Sequence, residues 1–144
     1  MLHALRASII LLLSASTFAW AQDSGTTDLS RLGGTWTVTA AERGGKPFDV
    51  IVGGVLKIDG DSFALRTAKD TEVAGKIQLD TTTSTKQLDF MLSTGAVWEA
   101  IYLLNADVLR LNYVERGDSP RPTVFATMAD IPGTIIVMRK TAPP

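Results

Sequence analysis

Cysteine is absent from this chain, and histidine occurs once, at His3. Each absence removes chemistry. Without cysteine no disulfide braces the fold, no thiolate serves as nucleophile or metal ligand, and no lipidated cysteine can hold the chain to a membrane. His3 itself falls in a stretch that reads as a secretory leader. Arg6 and the amino terminus supply positive charge, "ASIILLLSASTFAW" contains an apolar run, and Ala19-Trp20-Ala21 is a small-x-small cleavage site before Gln22. The strictly apolar run is shorter than the roughly 20 residues of a membrane-spanning helix. We therefore expect a signal peptide over 1–21, no membrane anchor, and export to the periplasm or medium. The exported chain would carry neither His nor Cys. That excludes zinc or copper sites built on imidazole or thiolate, Ser-His-Asp triads and cysteine nucleophiles. No catalytic set, metal or cofactor is expected.

An excess of one charge is also missing. Fourteen Lys and Arg stand against fifteen Asp and Glu, with no basic stripe, so a nucleic-acid or anionic-membrane partner is not indicated. Nor does any segment sustain an apolar period of 3.6 over three turns.

What the chain does contain is alternation. After a polar lead-in over 22–31, with room for one helical turn around Asp28 to Leu32, short strands follow one another between turn signals. "TWTVTAAER" sets Trp36, Val38 and Ala40 on one face; "FALR" sets Phe63 and Leu65; "TEVAGKIQLD" sets Val73, Gly75, Ile77 and Leu79. "KQLDFML" points Leu88, Phe90 and Leu92 inward. Glu99 marks the outer face of "VWEAIYLL", leaving Trp98, Ala100, Tyr102 and Leu104 inside. Arg110 and Asn112 do the same for "VLRLNYV", leaving Leu109, Leu111 and Tyr113 inside. "TVFAT" and "TIIVMRK" read as the last strands. Eight or nine strands in meander order predict one antiparallel barrel over 32–140, with a tail at 141–144; a β-sandwich is the alternative.

Gly34-Thr35-Trp36 opens the first strand and Arg139 lies in the last. If those strands pair, Arg139 can cover the Trp36 indole, worth ~0.5–2 kcal/mol. This arrangement resembles lipocalins, whose first strand carries Gly-x-Trp and whose last strand carries the arginine that covers it. More broadly, "LGGTW", "GGKP", "GDSFAL", "IYLLNADVLRLNY" and "RPTVF", in that order, resemble an uncharacterised lipocalin-like domain family, abundant in planctomycetes and other bacteria, with many exported members. That family usually has Asp-Gly-Asp where this chain has Asn105-Ala106-Asp107, and often a cysteine where it has Asn112. The resemblance implies a calycin-type barrel and no known activity.

Other motifs reduce to turns. "RGDSP" (116–120) matches an adhesion tripeptide but is good turn chemistry, and "DGDS" (59–62) lacks the spaced acids of a calcium loop. Glu72, Asp80, Asp89 and Glu99, the carboxylates that a glycoside hydrolase would need, fall on outer faces. The inward aromatics Phe63, Phe90, Trp98, Tyr102 and Tyr113 are the candidate ligand lining. They also suit a filled core, while the small inward residues Ala40, Gly75 and Ala100 favour a lumen. Three functions follow in order: a binding module for a small apolar molecule, a solid-barrel structural or protein-interaction domain, and a carboxylate hydrolase.

Overall fold

A computed structural model of the protein describes residues 24–142, so the expected leader lies outside the described residues. Gly34–Arg43 forms β1 and Lys46–Pro47 the short β2. The barrel then runs through β3 (Val55–Asp59), β4 (Ser62–Arg66), β5 (Glu72–Asp80), β6 (Gln87–Leu92), β7 (Val97–Asn105), β8 (Val108–Glu115) and β9 (Thr134–Lys140). Neighbours in the sheet are antiparallel and in chain order, except that β2 is an extra two-residue strand on the flank of β1. A β1–β9 ladder closes the ring. The result is a closed antiparallel barrel of eight strands, which leaves the sheet without a long free edge.

Period-two alternation accounts for most of the interior. Trp36, Leu56, Leu88, Ala100, Tyr102, Leu109 and Met138 are each 2% exposed or less. Gly75 sits inward as expected, but its role is close approach rather than lumen. A Cβ there would collide with the backbone carbonyl of Met91 on β6.

Four elements depart from the sequence reading. The lead-in forms a full helix, α1 (Ser24–Leu32), rather than one turn. Its anchors are few: Leu29 and Leu32 pack on the core, and Asp28 is only 3% exposed. Tertiary contacts hold it, which a periodicity search cannot see. Second, the ladder of β1 with β9 shifts between Val38 and Ala40. This bulge turns Ala40 out to solvent and puts Ala41 inside. Third, "TVFAT" is not a strand. Pro120 and Pro122 lack amide donors, and the carbonyls of Val124 and Phe125 accept from Asn112 Nδ2 (2.8 Å) and Arg110 Nη2 (3.3 Å) on β8. Asn112 thus points outward, as expected, yet is buried beneath this loop.

The fourth departure concerns Arg139. It pairs in register with Thr37, faces out, and meets Asp107 at 3.7 Å. Lys140 is the residue opposite Trp36, and its Nζ lies 5.4 Å from the indole centroid. Successive strand residues alternate faces, so only Lys140 can share the side of Trp36. The same ammonium donates to the carbonyl of Arg31 (3.0 Å), near the C-terminal end of α1, where a cation is favoured. Gly34, at φ 125°, leaves room for the lysine stem: a Cβ would stand 2.8 Å from Lys140 Cε. Trp36 Nε1 donates to Leu32 O at 2.8 Å, so helix and plug close one end of the barrel together.

Candidate ligand chamber

The other end is not filled. Beyond Phe63 the interior opens into a cavity of about 180 Å³ bounded by Leu65, Val73, Phe90, Trp98, Leu111 and Tyr113, with Ile51 from the turn after β2. Thr67 and Thr71, in the β4–β5 hairpin, are the hydroxyl-bearing residues of its wall besides Tyr113. Four rings lead from the core to this chamber. Phe63 meets Phe90 edge-on at 5.0 Å, Phe90 meets Trp98 at 6.3 Å, and Trp98 lies 5.2 Å from Tyr113 at a tilt of 33°. Spacings and tilts of this kind are favourable for aromatic pairs and hold the rings in place.

Trp98 and Tyr113 also border a second space. An open vestibule of about 610 Å³ lies outside them, bounded by Arg43, Glu115, Asp118, Ser119, Met128 and Thr134 among others. The two rings therefore form a partition between an apolar chamber and a polar entrance.

The five aromatics expected to line a ligand site divide. Trp98, Tyr113 and Phe90 line the chamber; Phe63 and Tyr102 do not. Phe63 lies deeper in the packed core, buried against Phe90. Tyr102 stands four residues along β7 from Trp98, roughly 13 Å away at a strand's rise, at the helix-capped end. There its hydroxyl donates to Asp28 Oδ2 at 2.8 Å. Burial, then the Asp28 hydrogen bond and charge, push the Tyr102 pKa far above its usual value. Burial alone would raise the pKa of Asp28. Hydrogen bonds from Lys86 (2.6 Å) and Tyr102, with the charges of Lys86 and Arg31, outweigh it and hold Asp28 below the ordinary range. Sequence reasoning missed Ile51, Gly54, Thr67 and Thr71, which come from turns where no alternation marks a face.

The outer carboxylates are engaged away from the chamber. Asp89 and Glu99, cross-strand neighbours on β6 and β7, are bridged by Arg121 (2.7 Å to Asp89) and Arg116 (2.7 Å to Glu99). The Arg of "RGD" is thus tied to the barrel wall, and the rest of that motif is a turn. Glu72 approaches Arg66 at 3.9 Å, and Asp80 accepts from the Thr82 amide and hydroxyl. Among the described residues no group of three or more acids could hold a metal ion, and no helix is long and apolar enough to cross a membrane.

No family model matches the chain, and no curated protein matches it. Among solved structures the chain is similar to a de novo designed fluorescence-activating β-barrel. The two are 12% identical with a TM-score of 0.47, over 78% of this chain and 96% of that one.

Proposed function

We propose that this protein is an exported, lipocalin-like binding module that takes a small, largely apolar molecule into the chamber behind Trp98 and Tyr113 without transforming it. One observation carries the reading: the barrel is filled from α1 up to Phe63 and then leaves about 180 Å³ bounded mostly by apolar side chains. Packed cores leave few such voids. A dry apolar cavity of ~150 Å³ is enough for a benzene-sized guest. The test is the emission of Trp98 as 1-octanol or indole-sized aromatic compounds are added. A saturable change that disappears in Trp98→Phe supports the chamber. No change in emission, together with no shift in melting temperature across the panel, refutes it. The solid-barrel interaction domain then takes its place, favoured by the exposed side chains of Val124 and Met128 in the β8–β9 loop.

A further inference from the structure

The bulge in β1 decides which charge stands at the mouth of the chamber. With unbroken alternation from Trp36 and Val38, residue 42 would point inward and residue 43 outward. The register shift between Val38 and Ala40 reverses this. Ala41, opposite inward Ile136, is buried; Arg43, two residues on, pairs with Thr134 and so shares that side of the strand, exposed at the rim. Glu42 is sent outside, where it accepts from Thr127 Oγ1 at 2.6 Å. Bulges commonly re-aim a side chain beside a site, and here one exchanges an acid for a cation.

Arg43 is held in place. Its Cζ lies 4.0 Å over the Phe48 ring, and its Nε donates to Thr134 Oγ1 at 2.8 Å. Thr134 is 4% exposed and is in turn the register partner of Tyr113. Arg43, Thr134 and Tyr113 thus form a row across three adjacent strands, from the vestibule to the partition. Among the described residues no ion pair or hydrogen bond uses the Nη atoms of Arg43. A guanidinium oriented by stacking, with both terminal nitrogens unspent, matches a carboxylate end-on. Glu115 and Asp118 are the other charged groups of the vestibule. All three are exposed, and Glu115, two residues beyond Tyr113 on β8, pairs with Trp98; what distinguishes Arg43 is that its stacking on Phe48 and its bond to Thr134 fix its direction.

We propose that the ligand is an amphipathic monocarboxylate, its apolar part in the chamber past Trp98 and Tyr113 and its carboxylate on Arg43 in the vestibule. This rests on the binding reading above and adds the charge of the ligand to it. The inner chamber is smaller than the ~300 Å³ at which ordinary ligand pockets begin, so a molecule of ordinary size must extend into the entrance. Calorimetry of the full chain with octanoate, 1-octanol and octylamine separates the possibilities. Octanoate should bind about tenfold more tightly than the other two. Arg43→Gln should remove that preference while leaving 1-octanol binding unchanged, and Arg139→Gln on the outer face should leave all three unchanged. Equal affinities unaltered by Arg43→Gln, or octylamine binding tightest, would overturn the carboxylate while the apolar chamber stands. If none of the three binds, the chamber reading itself fails and the carboxylate falls with it.

Discussion

Trp36 shows how far one residue reaches. Its ring fills the closed end, its Nε1 holds the last turn of α1, and Lys140 lies across it. Trp36→Ala should cost about 3–5 kcal/mol in chemical denaturation. Lys140→Ala should cost about 1 kcal/mol, through the lost cation–π contact and stem packing. Arg139→Ala should stay within roughly 0.5 kcal/mol of the parent, because its exposed pair with Asp107 contributes little. A loss at Arg139 exceeding that at Lys140 would contradict the register described. The tryptophan was legible in the sequence because Gly-x-Trp opens a strand. Its cation was misassigned by one position, since Arg139 and Lys140 are adjacent and only the inter-strand register chooses between them. Ala106 offers a second test. It holds φ 50° in the β7–β8 turn, a region costly for a residue with a Cβ. Ala106→Gly should stabilise by about 0.5–1 kcal/mol, visible as a rise in melting temperature.

At the scale of elements, α1 is secured by charge more than by its own propensity. Asp28 is buried with its carboxylate on Lys86 and Tyr102, and its folded pKa lies below the unfolded 3.8. A depressed acid pKa contributes stability that is present above the unfolded value and lost as pH falls through the folded one. Asp28→Asn should therefore cost about 2 kcal/mol at pH 7, and the gap from the parent should narrow below about pH 4. Asp61 and Asp80 also titrate low, through bonds to Lys76 and Thr82, but both are present in parent and variant, so the difference isolates Asp28. A gap independent of pH would show that the carboxylate charge does not hold the helix. Strands with a partner face, such as Phe63/Leu65 or Leu88/Phe90, were readable from alternation alone. The helix was not, because two leucines and an aspartate make no periodic signal. "TVFAT" misled for the opposite reason: its composition suits a strand, but side chains of β8 take its carbonyls.

For the molecule as a whole, the closed meander was legible because nearly every strand pairs with its sequence neighbour, leaving the ring little alternative order. The chamber was half legible: Trp98, Tyr113 and Phe90 were assigned inward correctly, while its turn-borne wall and the depth of Phe63 and Tyr102 depend on how the ring tilts. Filling the chamber should trade function for stability. Val73→Phe, on its wall, should raise stability by about 0.5–2 kcal/mol and abolish the Trp98 response to 1-octanol; a retained response would place binding elsewhere. The β1–β9 ladder has a further consequence, and it concerns time. Trp36 is bonded into register with Lys140, more than a hundred residues away, whereas every other seam of the ring except that of β8 with β9 joins hairpin partners or near neighbours. Pairing so distant carries the largest loop-closure cost and forms late. Until β9 docks, the edges of β1 and β8 are both unpaired, and each is a template for another chain. The interval before the ring shuts is thus when this protein is most exposed to aggregation, and a chain interrupted before Thr134 would remain in that state.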